Sequence, residues 1–287
     1  MSLKITYRPV LIIITAVIIA SACTEPVEID LDSTYARLVV EGYVNTDSIK
    51  HSVILSVTSD YFANEASPRV SNAFIERAFE GETMQLLEND TVPGLYEAPH
   101  AFRGVIGTTY DLDISQLDVN QDGTEDQYHA SSTMPGGTEL VSIELKYYPT
   151  AVASGYGVFM YAFHPPEHRD WFGFKLIKNG ILISNTLEEY SILSDDIFDD
   201  GYFPGIPVGF LSDDETEQAV HPGDTVTLEL NCIDEAYYNF VSGAQLEIVG
   251  YNPLFSGPSA NITSNLSNEA FGIFAAYSIL RTYAIAE

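Results

Sequence analysis

Over most of the chain, apolar and polar residues alternate one by one. Tyr110, Leu112 and Ile114 alternate with Asp111 and Asp113, and Val226, Leu228 and Leu230 with Thr227 and Glu229. Val141, Ile143, Leu145 and Tyr147 alternate in the same way with Ser142, Glu144 and Lys146. A period of two sends one set of side chains into a core and the other into water, as antiparallel sheets require. Apolar runs at residues 38–44, 53–57, 158–163 and 272–285 also read as strands. Asn179-Gly180, set between Lys175-Leu-Ile177 and Ile181-Leu-Ile183, predicts a hairpin, because both residues accept the positive φ of a two-residue turn. Residues 234–248 carry the good helical pattern: Ala236, Tyr237, Phe240, Val241 and Ala244 fall at helical spacing, with Asp234 as N-cap. The turn-rich Met134-Pro-Gly-Gly137 separates two strand-dense stretches. The predicted fold class is mainly β, with two β-sandwich-like domains over 35–134 and 138–287 and one short helix in the second.

The first residues break this pattern. Lys4 and Arg8 precede an apolar run over residues 10–20. That run has about eleven residues where a spanning helix needs roughly twenty, so it reads as the core of a signal peptide. Ala20-Ser21-Ala22-Cys23 follows and resembles the bacterial lipobox, in which the thiol is acylated and the preceding peptide bond cut. Residues 1–22 are then a lipoprotein signal peptide, Cys23 the lipidated residue, and 23–34 a tether. An ordinary secretory peptide cleaved near Ala22 is the other reading. Thr24, rather than Asp, follows the cysteine, and Glu25, Glu28, Asp30 and Asp32 form an acidic stretch. These features resemble those of lipoproteins sorted to the outer membrane and its cell-surface face.

Charge then narrows the partners. With 12 Lys+Arg against 41 Asp+Glu the net charge is −29, which repels phosphate backbones and excludes nucleic acid. There are 2 cysteines, so acylation of Cys23 leaves Cys232 without a disulfide partner. Cys232 shares a face with Val226, Leu228 and Leu230 and reads as a small buried hydrophobe.

Candidate chemistry is sparse. In Asp118-Val-Asn120-Gln-Asp122-Gly123-Thr124-Glu-Asp126, oxygens recur at alternate positions before a turn-permitting glycine, the arrangement a structural Ca²⁺ needs. Asp118, Asn120 and Asp122 would give side-chain oxygens, Thr124 a carbonyl, and Asp126 a direct or water-mediated ligand. His129 replaces the bidentate Glu of a helix-flanked calcium hand, and both flanks read as strands. A solvated hairpin loop turning at Asp122-Gly123 explains the same string without the ion. His164-Pro-Pro-Glu-His168 matches the H-x-x-E-H string of inverted zinc metallopeptidases, but Pro165 and Pro166 oppose the helix that chemistry needs. Asp195, Asp196, Asp199, Asp200 and then Asp213, Asp214, Glu215, Glu217 form two acidic clusters, read as solvated loops, with a second cation site as the rival reading. Most aromatics are core residues, while Trp171, Tyr202 and Phe203, beside prolines and glycines, are candidates for a ligand-stacking platform.

Longer strings carry a family resemblance. Cys23-Thr-Glu-Pro-Val-Glu-Ile-Asp-Leu-Asp32, Leu38-Val-Val-Glu-Gly42, Pro93-Gly-Leu-Tyr96 and Gly107-Thr-Thr-Tyr-Asp-Leu112 lie in the first half. Ser194-Asp-Asp-Ile-Phe198, Asn252-Pro-Leu-Phe255, Asn261-Ile-Thr-Ser-Asn265 and Phe271-Gly-Ile-Phe-Ala-Ala-Tyr-Ser278 lie in the second. Together they resemble a family of Bacteroidota outer-membrane lipoproteins known as domain-of-unknown-function 4249, over essentially the whole mature chain. The resemblance implies a transthyretin-like or immunoglobulin-like sandwich in the first half and a setting beside TonB-dependent transporters, and it supplies no catalytic residues. The combined expectation is a non-enzymatic, lipid-anchored outer-membrane accessory or binding protein, partnering a transporter. An independent surface glycan-binding or adhesin module is the alternative, and a zinc metallopeptidase ranks third.

Overall fold

The computed structural model describes residues 36–59, 66–79, 81–149, 154–164, 169–184, 186–197, 201–214, 219–249 and 262–287. The expected signal peptide, Cys23 and the tether lie outside the described residues. The alternating segments fold as strands, and the chain is mainly β as the pattern predicts. The first half contributes β1 (Leu38–Asn45), β2 (Ser52–Val57), β3 (Phe74–Phe79), β4 (Glu82–Glu88), β5 (Leu95–Glu97), β6 (Thr109–Leu117) and β7 (Asp126–Thr133). The second half contributes β8 (Glu139–Pro149), β9 (Ser154–Phe163), β10 (Trp171–Lys178), β11 (Ile181–Leu182) and β12 (Ser191–Ser194). It continues with β13 (Tyr202–Ser212), β14 (Thr225–Ile233), helix α1 (Glu235–Val249) and β15 (Phe271–Ile285).

Twelve of these strands form one sheet in the order β11-β10-β14-β15-β1-β2-β5-β4-β3-β6-β7, with β12 also paired to β10. Val40 and Leu55 of β1 and β2 share a buried cluster with Leu112 and Tyr128 of β6 and β7, so this long sheet folds back over its own first half. The remaining strands make a small sheet, β13-β9-β8. Its inner residues Val158, Met160, Phe203 and Leu211 bury against Phe172, Leu228 and Leu230 of β10 and β14, which makes the second half a two-layer sandwich.

The boundary expected at Met134-Pro-Gly-Gly137 lies between these two cores, but the sheet continues across it. Strand β15 pairs antiparallel with β14 and parallel with β1, and residues 36–287 form one compact unit. Phe274 and Ala276 of β15 fill the first core, while Leu280 and Ala284 pack on the second. A parallel pairing between the first and last strands needs a long crossover, which no local turn signal reports.

Several local expectations are met. Asn179 and Gly180 take φ of 49° and 84° and join β10 to β11. Asp234 caps α1, its Oδ1 accepting the Tyr237 N–H at 2.8 Å, a contact of about 1 kcal/mol. Its Oδ2 accepts the Ser132 hydroxyl of β7, and Tyr237 packs against Tyr43 of β1 and Tyr277 of β15 at 5.7 and 6.1 Å, so the helix clamps the two halves together. Cys232 is buried in the second core, and burial pushes its thiol pKa up, as an inert hydrophobe requires. One expectation needs correcting. Of the β8 positions assigned to a core face, Ile143 is buried but Val141 and Tyr147 are exposed. A bulge between Leu140 and Ser142 shifts the register there, and β8 is an edge strand.

Candidate functional site

The acidic loop joins β6 to β7 as a hairpin tip, closed by the pair Leu117–Asp126. Its oxygens face its own amides. Asp118 accepts the N–H groups of Asp122 and Gly123 at 3.0 and 2.9 Å, Asp122 accepts that of Thr124 at 2.7 Å, and Asp126 accepts that of Val119 at 3.0 Å. Asn120 accepts from Asp122 N–H and donates to its carboxylate, both at 3.0 Å. Those bonds hold the Asp122 carboxyl below its ordinary pKa, the Thr124 amide contributing most. Gly123 takes φ of 86°, the positive value its turn requires. His129 turns away to Asp113 on β6, at 2.9 Å.

Of the H-x-x-E-H string, His164 is described and Pro165 to His168 are not. His164 sits directly after β9 and is buried. The acidic clusters also divide. Asp196 pairs with Arg169, and Asp213 accepts the Tyr147 hydroxyl at 2.9 Å, as surface groups do. Asp195, read as part of a solvated loop, is instead buried, because the 3₁₀ turn that opens there directs it under the end of the sandwich beside His164. Asp199, Asp200, Glu215 and Glu217 lie outside the described residues.

The three aromatics singled out in the sequence also separate. Phe203 is fully buried in the second core and is no platform residue, since β13 alternates and its neighbour Tyr202 takes the outer face. Trp171 is half-buried at the start of β10. Tyr202 belongs to a broader surface that the sequence reading missed. Phe159, Tyr161 and Phe163 stand at alternate positions of β9, on the face opposite buried Val158, Met160 and Ala162. A strand apolar on both faces, with one face already committed to a core, presents the other to solvent or to a partner.

Register builds the surface across all three strands of the small sheet. Phe163 stands opposite Tyr202, Tyr161 opposite Pro204, and Phe159 opposite Pro207. The Phe163 and Tyr202 rings lie 4.7 Å apart, and Phe163 and Phe210 are 50% and 43% exposed. Tyr148 of β8 lies 6.4 Å from Phe159. Gly157 between them carries no side chain, and a Cβ there would meet their ring carbons at 3.0 and 2.9 Å. Tyr148, Phe159, Pro207 and Phe210 form one wall of a groove of about 520 Å³ whose other wall includes Ile192 and Leu193 of β12.

Polar groups are set among the rings. Lys146 Nζ lies 4.6 Å over the Phe159 ring and 3.0 Å from Glu144. Tyr161 donates its hydroxyl to Glu144 at 2.8 Å. Lys146 and then Tyr161 hold the Glu144 carboxyl below its ordinary pKa, and the same contact raises that of the Tyr161 hydroxyl. The face therefore offers ring planes, a carboxylate, an ammonium and a phenol. Prolines 204 and 207 occupy the edge strand β13, where they block addition of a further strand. Such a face suits contact through side chains rather than through sheet extension.

The family described as domain of unknown function DUF4249 matches residues 24–282. The chain belongs to that family. The match takes in both cores and the aromatic face alike, and it assigns no activity to either. No curated protein matches the chain. Among the described residues no helix is long and apolar enough to cross a membrane.

Proposed function

We propose that this chain is a lipid-anchored outer-membrane protein that binds rather than catalyses. It is tethered through Cys23, and its contact surface is the outer face of the three-stranded sheet. The single observation that carries the reading is the row of Tyr148, Phe159, Tyr161, Phe163, Tyr202 and Phe210 along one sheet face of a strongly acidic protein. Exposed aromatic rows of this kind disfavour solubility unless something covers them. The partner proposed is a TonB-dependent transporter. In support, the lipobox-like Ala20-Ser21-Ala22-Cys23 is the kind of sequence a membrane-tethered chain carries, and side-chain contact through aromatics is how stable interfaces form.

Mild-detergent purification of the full chain tests this. A transporter is expected at close to one copy per chain, and it is lost in a Phe163→Asp, Phe210→Asp double variant that melts like wild type. Recovery of the lipoprotein alone overturns the partnership. A glycan-binding role is a second reading, favoured by the groove in which the Tyr148 and Phe159 rings sit beside the Glu144, Lys146 and Tyr161 polar groups. It predicts glycan-array binding that disappears in Tyr148→Ala.

A structural Ca²⁺ at Asp118, Asn120, Asp122, Thr124 and Asp126 completes the proposal, supported by the oxygen spacing and by Gly123. Adding CaCl₂ to calcium-free protein then raises the melting temperature of wild type but leaves that of Asp122→Ala unchanged. Equal shifts in the two proteins exclude the loop.

A further inference from the structure

We propose that His164, Asp170 and Asp195 form a buried site for a divalent transition-metal ion of the zinc class. Three strand ends bring them together: His164 follows β9, Asp170 precedes β10, and Asp195 follows β12. The main chain fixes these positions, with the His164 N–H donating to Gly201 at 3.0 Å and the Asp195 N–H to the Asp170 carbonyl at 3.1 Å. One ligand atom from each of the three side chains lies within 4.8 Å of the others, and this is the one such grouping among the described residues.

The imidazole points to an ion. The His164 side chain is only 1% exposed, and neither of its ring nitrogens makes a hydrogen bond. Buried polar atoms left this way are rare and costly. Nδ1 lies 3.5 Å from Asp195 Oδ2, longer than a hydrogen bond but close to the roughly 3.3 Å that separates two ligands around a tetrahedral ion with bonds of about 2.0 Å. The ring is held in place by stacking on Phe203 at 4.5 Å and by the edge of Phe172 at 6.5 Å, so the nitrogens cannot swing out to water. The neighbouring cation, Arg169, is engaged with Asp196.

Donor chemistry selects the metal. One imidazole nitrogen and two carboxylates suit Zn²⁺, Co²⁺ or Mn²⁺, whereas Ca²⁺ takes six to eight oxygens and no nitrogen. A dication offsets both carboxylate charges at once. The ion would join the end of the small sheet, through His164, to the long sheet, through Asp170 and Asp195. With His164 and Asp195 buried and Asp170 half-buried, a structural role fits the ion, distinct from that of the H-x-x-E-H string, which needs His168 and a helix. The site is independent of the partner and glycan readings.

The test uses the full chain in detergent, isolated from zinc-supplemented cells, with metal measured by mass spectrometry. About one zinc per chain is expected, and stripping it with a strong chelator lowers the melting temperature. Rebinding of ZnCl₂ weakens by roughly 100-fold or more in Asp195→Asn, which keeps the side chain's shape, and in Asp170→Asn. Co²⁺ gives a visible absorption spectrum in wild type that both variants lack. Asp122→Ala retains full zinc. Background zinc in wild type by both routes, or wild-type affinity in the two Asn variants, overturns the site.

Discussion

Replacing Gly272 with alanine lowers the melting temperature by roughly 10 °C. Gly272 lies in β15 with φ of 95°, a backbone region that strains any L side chain. A Cβ there would fall 1.9 Å from the Val40 carbonyl oxygen and 2.8 Å from its carbonyl carbon. Val40 is the register partner of Gly272 in the parallel β1–β15 pairing, so the clash is with main chain and no rotamer relieves it. The strands must separate at the start of β15, where Ala270 and Phe274 on either side are buried in the first core. Strain plus lost pairing comes to about 3–5 kcal/mol. Gly180→Ala is the control: its φ is 84° but nothing lies within 4 Å of the added atom, so it carries conformational strain alone, about 1–2 kcal/mol. Scanning calorimetry of both variants decides, and equal shifts would show that close approach at Gly272 does not matter.

Arg281→Ala costs about 2–3 kcal/mol and flattens the acid limb of the stability curve. The Arg281 guanidinium is forked between two carboxylates. It donates to Asp47 at 2.8 and 2.6 Å and to Glu229 at 2.9 and 2.7 Å. The Glu229 side chain is 8% exposed, and without Arg281 the cation left to it among the described residues is Lys175, at 3.6 Å. Removing one partner of a nearly buried pair leaves the other charge under-solvated, which outweighs the small value of an exposed pair. Asp47 supplies the pH dependence. Its pKa is lowered, chiefly by the hydrogen bonds from Arg281. A depressed carboxyl stabilises the fold above its unfolded pKa of about 4, and that contribution is lost as pH falls through the lower folded value. Melts of wild type between pH 6 and roughly pH 3 therefore fall more steeply than those of Arg281→Ala, and parallel curves would remove Asp47 from the account.

Local physics made much of the architecture readable. The Asn179-Gly180 turn and the Asp234 cap depend on a few adjacent residues, and both stand where expected. Strand β14 buries Cys232 alongside Leu228 and Leu230, as its period of two implies. The misses are all non-local. Residues 272–278 of β15 are buried without alternation, since Phe274 and Ala276 fill the first core while Tyr277 on the other face stacks on Tyr237 of α1, and an apolar run alone cannot tell what covers each face. The β8 bulge depends on register with β9. His164 stands in the H-x-x-E-H string, yet the carboxylates grouped with it among the described residues, Asp170 and Asp195, lie outside that string and are delivered by β10 and β12. The aromatic face is half legible: Tyr202 stands out beside glycine and proline, while Phe159, Tyr161 and Phe163 lie in an apolar run that reads only as a strand.

The central place of β15 has a consequence for timing. A nascent polypeptide emerges amino end first, so β1 and β14 are both made well before the strand that lies between them. Until Phe271–Ile285 is made, the long sheet cannot be completed, and the facing edges of β1 and β14 stay unpaired. Two inner edges that wait for a later strand are open hydrogen-bonding rows, exposed to mispairing until that strand inserts.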